Sequence, residues 1–207
     1  MQWESIIILA EKMFVAQGIK AVRMDDIAHE AGISKRTLYE IFGDKDELLF
    51  QAMKLYFDRM EQQNNEVALE SPNVLIATLR VMQNVVKHSE ISWRLRNAMQ
   101  RFHKSVNERI SEERNDRGDK LFKRGLQQGV DEGLLVPYAN LDLAISMLKY
   151  MSRSVVLHDS EFRMPEGVTP QEAFLEVAVI FMRGIATQKG IEIIDEFVKN
   201  SDYNLKK

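Results

Sequence analysis

Arg23 to Phe42, RMDDIAHEAGISKRTLYEIF, is the stretch whose reading decides the fold. Met24, Ile27, Ala28 and Ala31 recur at the spacing that gathers apolar side chains on one face of a helix. Gly32 then supplies the backbone freedom that a sharp turn needs, and Ile33 can anchor the turn inward. Ser34 starts a second short helix, because its hydroxyl can accept a bond from an otherwise unpaired N–H of the first turn. On that helix Leu38, Ile41 and Phe42 are expected to pack inward, with Lys35, Arg36, Thr37, Tyr39 and Glu40 pointing out. A donor-rich face at a helix N-terminus suits phosphates and base edges, since helix dipole and side chains favour negative charge together. Two short helices about a glycine also occur as plain surface elements of helical bundles, so the flanks have to decide between the readings.

Upstream, Trp3, Ile6, Ile7, Leu9, Ala10, Met13 and Phe14 form a broad apolar stripe over residues 3 to 17 that stops at Gly18. Downstream, Gly43-Asp44-Lys45-Asp46-Glu47 reads as a turn and a capping box, with Asp44 bonding forward and Glu47 reaching back. A fourth helix is expected over about 45–63, long enough to link two domains. The ordered set Phe14, Gly18, Ile27-Ala28, Ala31-Gly32-Ile33-Ser34, Thr37-Leu38-Tyr39, Phe42, Lys45 and Leu48-Leu49 resembles the N-terminal DNA-binding domain of the TetR family of transcriptional repressors. The resemblance covers about residues 3 to 50, nearly a quarter of the 207. It implies an all-α chain: a three-helix helix-turn-helix DNA-binding domain at 1–48, and a helical ligand-binding and dimerisation domain at 64–207.

By position in the motif, Lys35 and Arg36 are the candidates for base reading, the arginine being able to fork onto guanine. Thr37, Tyr39 and Lys45 would fix register on phosphates, and Ser34 belongs to the same DNA-facing set. Two positions depart from the family pattern. Many relatives have a capping threonine where this chain has Arg23, which can add a phosphate contact, and a basic residue where it has Asp25, which cannot.

Charge argues against a strong pull on DNA at large. Residues 1–48 hold six Lys/Arg against nine Asp/Glu, and the other 159 hold 22 of each sign. Only charge within a Debye length of about 8–10 Å of the phosphates counts, so weak non-specific binding is expected. The chain has no cysteine, which excludes disulfides, thiolate metal sites and a cysteine nucleophile. No apolar run approaches the roughly 20 residues that span a bilayer, so a soluble cytoplasmic protein without a membrane partner is expected.

Beyond Asn64 to Ser71, where apolar periodicity lapses, Ser71-Pro72 is expected to cap a fifth helix. A sixth helix over 91–102 follows, and a capping box at Ser105 and Glu108 is read as opening a seventh that runs to about 130. Pairs such as Arg109/Glu113 on the seventh mark a solvated face. Asn140 can cap an eighth helix, and Thr169-Pro170-Gln171-Glu172 joins a capping box to a proline in the first turn of a ninth. Both are apolar around most of their circumference, so they must be buried on more than one side. A homodimer through helices at about 141–158 and 170–187 is therefore expected, reading a palindromic operator of double-stranded DNA. The resemblance implies the same arrangement.

The resemblance also implies a pocket in the second domain for an unknown small-molecule effector. Trp93, Met99, Phe102, Met147, Tyr150 and Met151 are the residues that would meet an apolar or aromatic guest, with Arg94, Arg96 or His103 as polar handles. Side chains of these types at helical spacing also build plain cores. His29, His88, His103 and His158 show no paired ligand spacing, so neither a metal nor a cofactor is expected. No serine elbow, carboxylate pair or histidine constellation supports an enzyme. The alternatives left open are a regulator without an effector and an all-helical enzyme or adaptor. The latter pair would leave the exposed Lys35, Arg36 and Tyr39 unexplained.

Overall fold

Few helix breakers and strong caps leave little room for anything but helices, and a computed structural model of the chain describes residues 2–156 and 165–200 accordingly. Among these residues the backbone makes ten helices and one isolated antiparallel bridge, between Leu135 and Ala186. Two compact units emerge. The first joins Met1–Gln63 to Ile91–Asp116, and the second joins Asn64–Glu90 to Arg117–Lys207.

In the first unit, α1 (Gln2–Gln17) buries Ile6, Ile7, Ala10 and Phe14, while Trp3 of the same apolar stripe is left exposed. Then come α2 (Met24–Glu30), α3 (Lys35–Phe42) and α4 (Lys45–Leu69). Phe14, Ile19, Ile27, Leu38, Leu48, Leu49 and Met53 are fully buried in one cluster, to which Leu95, Met99, Val106 and Ile110 also belong. Each such side chain stabilises by about 1.5–3 kcal/mol, so the short α2 and α3 are held by this cluster rather than by helix propensity. Glu11 is buried in α1 and accepts a 2.7 Å hydrogen bond from Arg59 of α4, which meets the demand of a charge removed from water.

Residues 91–116, the later part of α6 (Ser89–Phe102) and the first part of α7 (Lys104–Asp131), dock on α4 through polar pairs over an apolar contact. His103 Nδ1 lies 2.6 Å from Asp46, Arg109 donates to Glu47 at 2.8 Å, and Lys54 pairs with Glu113. The Arg109 guanidinium also covers the Phe50 ring at 3.7 Å. Arg109 and Glu113 thus hold partners on α4. The other charge pairs read along α7 involve Asp116, Arg117 and Asp119, whose side chains lie outside those described.

The second unit packs α5 (Val74–Lys87), α8 (Leu141–Val156), α9 (Pro170–Gly184) and α10 (Gln188–Asn200) with the tail of α7. One cluster gathers Leu75, Leu79, Leu126, Leu135, Ile145, Met182 and Ile194; a smaller one holds Met82, Val86, Leu148, Phe174 and Ala178. The caps at Asn140 and Thr169 form as expected. Leu143 N donates to Asn140 Oδ1 at 3.0 Å, and Thr169 and Glu172 bond reciprocally at 3.2 and 2.9 Å.

Several boundaries differ from the sequence reading. α4 continues to Leu69, because no proline or glycine interrupts it before Pro72 and a polar helix turn is stable enough when attached to a packed one. Asn73, not Ser71, caps α5 by accepting from Ile76 N at 3.0 Å, while the Ser71 hydroxyl donates back to the Val67 carbonyl. α7 begins at Lys104, so Ser105 lies inside its first turn. α10 was not anticipated at all. The expected end of the eighth helix, Leu157 and His158, falls outside the described residues.

Candidate nucleic-acid interface

The hairpin of α2 and α3 is made by local chemistry. Gly32 adopts φ +66°, Ile33 N returns to the Ala28 carbonyl at 3.0 Å, and Ile33 packs against the core, closing α2 in the manner of a Schellman turn. Ser34 Oγ accepts from Thr37 N at 3.0 Å and lies 2.8 Å from the Thr37 hydroxyl, so both hydroxyls are held at the start of α3. Leu38 and Phe42 are buried as expected. Ile41 is not: it is 40% exposed, lying about 100° around the helix from Phe42 at the edge of the buried face.

Lys35, Arg36, Tyr39 and Glu40 form the outer face, with Thr37 half-buried beside them. Lys35 Nζ sits 2.7 Å from Asp25 of α2, whose hydrogen bond and charge hold the ammonium above its ordinary pKa. Arg36 Nε donates to Glu40 at 2.8 Å. Arg23 precedes α2 with an exposed side chain, and its backbone N–H donates to Asp26 at 2.8 Å. Asp26 thus supplies the half of a capping box that reaches back to the N-cap N–H, which is not the bond that a threonine hydroxyl at position 23 would make.

Lys45 is arranged differently from its neighbours. Its ammonium donates to the carbonyls of Ile19 and Val22 at 2.8 and 2.6 Å and faces the Phe14 ring. Burial pulls its pKa down from the ordinary value. Two of its three donors thus tie the connection between α1 and α2 to the start of α4, and one is left for a phosphate. Asp44 bonds forward to Glu47 N at 2.8 Å, but Glu47 does not reach back. Its carboxylate takes Gln51 and Arg109, which together hold its pKa below the usual value.

The six residues read as meeting a ligand are split between the units. Met99 is fully buried in the first, where Trp93 is half-buried and Phe102 exposed. Met147 and Tyr150 lie exposed on α8 of the second, and Met151 packs half-buried against its smaller cluster. The three polar handles are occupied inside the first unit: His103 by Asp46, Arg94 by the Val15 carbonyl, and Arg96 over the Phe57 ring at 4.8 Å.

A short helix seated on a core by Leu38 and Phe42, presenting Lys35, Arg36 and Tyr39 behind a tight glycine turn, is the recognition element of a helix-turn-helix DNA-binding protein. Residues 6–52 match the model of the bacterial regulatory proteins of the tetR family. Residues 6–52 are thus a DNA-binding segment of the TetR type, and the chain that carries it is a DNA-binding transcriptional regulator. Along 191 residues it is 24% identical to the HTH-type transcriptional repressor KstR2 of Mycobacterium tuberculosis, covering 88% of this chain and 92% of that one. Over 58 residues it is 41% identical to the HTH-type transcriptional regulator HbdR of an Aromatoleum species, covering 28% and 25%. Among solved structures, that of the ketosteroid transcriptional regulator KstR2 shares the fold with TM-score 0.60 at 22% identity, covering 91% of this chain and 96% of that one. AibR, solved with isovaleryl coenzyme A and operator DNA, does so with TM-score 0.57 at 18% identity, covering 87% and 97%. Among the described residues no helix is long and apolar enough to cross a membrane.

Proposed function

We propose that this regulator acts in the cytoplasm as a homodimeric repressor, placing α3 of each copy in successive major grooves of a palindromic operator and leaving it when a small apolar or aromatic molecule binds. The observation that carries the reading is the division of α3, with Leu38 and Phe42 sunk in the core and Lys35, Arg36 and Tyr39 facing out. Lys35 and Arg36 read bases; Arg23, Ser34, Thr37, Tyr39 and the free donor of Lys45 hold phosphates. Duplexes selected from a random pool test this division. Arg36→Ala should relax preference at one base pair of each half-site, costing about 1–3 kcal/mol there, whereas Lys45→Ala should weaken all sequences alike. Sequence-blind losses from both variants would refute it.

Dimerisation is supported by an apolar stripe that the second unit leaves uncovered: Leu143, Met147 and Tyr150 at i, i+4 and i+7 on α8, and Ile180 on α9, all exposed. Such a stripe on two adjoining helices builds a four-helix interface with its own copy. One recognition helix touches too few base pairs for useful specificity, and a two-fold dimer doubles them.

For the effector, support comes from the smaller cluster of the second unit. Met82, Leu148 and Phe174, with Met151 beside them, form an apolar group separate from the main core, and flexible thioethers adapt to a guest. The relative KstR2 is described as a ketosteroid transcriptional regulator, and AibR was solved in complex with isovaleryl coenzyme A and operator DNA. Of the six residues read as meeting a ligand, Met151 is the one that packs against this apolar group. A panel of hydrophobic and aromatic compounds should contain one that raises the melting temperature and releases the duplex. Binding at 100 times Kd corresponds to about 2.7 kcal/mol. A panel without any shift would count against induction by a small molecule.

A further inference from the structure

Both cations read as base contacts are already held by carboxylates in the free protein. Lys35 Nζ touches the two oxygens of Asp25 at 2.7 and 3.1 Å, and Arg36 Nε meets Glu40 at 2.8 Å. The four side chains are 58–88% exposed, so the pairs stand in water. Pairs of that kind are weak and give way to a better partner. The Arg36 pair uses Nε, and among the described residues neither terminal amino group has a partner, so the edge that would fork onto guanine is left open. Over Arg23–Lys45 the hairpin carries four Lys/Arg and five Asp/Glu, a balance that gives a phosphate backbone no net attraction.

We propose that Asp25 and Glu40 are specificity-determining residues: counter-charges that cancel the attraction of α3 for phosphate at large and yield only where a correct base sequence takes the cation from them. The inference rests on the reading of α3 as the DNA-reading helix. On random sequence, Lys35 and Arg36 stay with their carboxylates and no phosphate contact is made. On the operator the Lys35 pair opens and Arg36 brings its free terminal edge to the base, because a base contact in the groove outweighs a solvated ion pair. The carboxylates therefore penalise the wrong complex more than the right one, which is how specificity is obtained without any new contact to the operator.

The size of the effect follows from counterion release. Freeing one cation to meet one phosphate steepens the salt slope by about 0.9, which at 0.1 M salt is about eightfold in affinity per subunit engaged. On the operator the same change only spares the opening of an exposed pair, about twofold per subunit.

Binding of a selected duplex and of random duplex, followed by fluorescence anisotropy at several salt concentrations, tests this with full-length wild type, Asp25→Asn, Glu40→Gln, Asp25→Glu and Arg36→Ala. The Asn and Gln variants should gain about eightfold per subunit on random duplex with a steeper salt slope, and about twofold on the selected one. Asp25→Glu, which keeps the charge, should stay at the wild-type level on both. Random-duplex affinity and slope unchanged in the neutral variants, an equal gain on both duplexes, or a gain in Asp25→Glu as large as in Asp25→Asn would each overturn the counter-charge role. In those outcomes Arg36→Ala still weakens the selected duplex, so the reading of α3 stands. If Arg36→Ala binds the selected duplex as wild type does, that reading has failed and the inference falls with it.

Discussion

Replacing Leu143 and Ile180 together by glutamate should turn the protein into a monomer and weaken its hold on the selected duplex by about a thousandfold. The two positions are 58% and 63% exposed on adjoining helices, so the substitutions leave the core of each copy intact. Across a two-fold axis they set four carboxylates into what would be a dry contact, and burying unpaired charge costs several kcal/mol. The loss on DNA comes from valency: when one half-site is bound, the second is met at an effective concentration that multiplies affinity by about 10² to 10⁴. With about three to four contacts per copy, the salt slope should fall from roughly −6 to about −3. Light scattering gives the mass and anisotropy the affinity. A variant that stays dimeric and binds normally would move the interface elsewhere.

Gly190→Ala should lower stability by about 2–4 kcal/mol, equivalent to a fall of roughly 4–16 °C in melting temperature for a chain of this size. A methyl group built on Gly190 would overlap the carbonyl oxygen of Leu134 and press on the Ala186 side chain. The Leu134 oxygen cannot withdraw, because it accepts the backbone N–H of Thr187 at 3.0 Å, beside the bond from Val136 N to the Ile185 carbonyl at 2.9 Å. The Thr187 hydroxyl also donates to Gly133 at 2.8 Å while accepting from Gly190 N at 3.2 Å, capping α10. The clash would lift α10 from its seat and uncover Ile194, which is fully buried. Calorimetry checks this. A melting temperature within a degree of wild type would mean that the α9–α10 corner has slack the geometry does not show.

The hairpin was legible in the sequence because everything that makes it is local. Gly32 turns, Ser34 caps three residues ahead, and Leu38 and Phe42 share a face four residues apart. The same holds for Thr169 with Glu172. What escaped was set by partners far along the chain. α10 carries a glycine in the first turn of a 13-residue segment, and Gly190 is required there by the close approach of Leu134, 56 residues earlier. Lys45 looked like a free phosphate contact because the carbonyls of Ile19 and Val22 come to it only after folding. Asp25 was noticed as a departure from the family pattern, but its pairing with Lys35 crosses from one helix of the hairpin to the other. Residues 91–116 join the first unit through pairs such as His103 with Asp46, 57 residues apart, which no pattern in either segment announces.

Sequencing the duplexes that the wild-type protein retains from a random pool tests the central claim most directly. Two copies of α3 on a two-fold dimer predict an inverted repeat whose half-site centres lie about 10–10.5 base pairs, or one helical turn, apart or a multiple of that. A pool in which no sequence is enriched, or in which a single unsymmetrical site is enriched without its inverted partner, would contradict it.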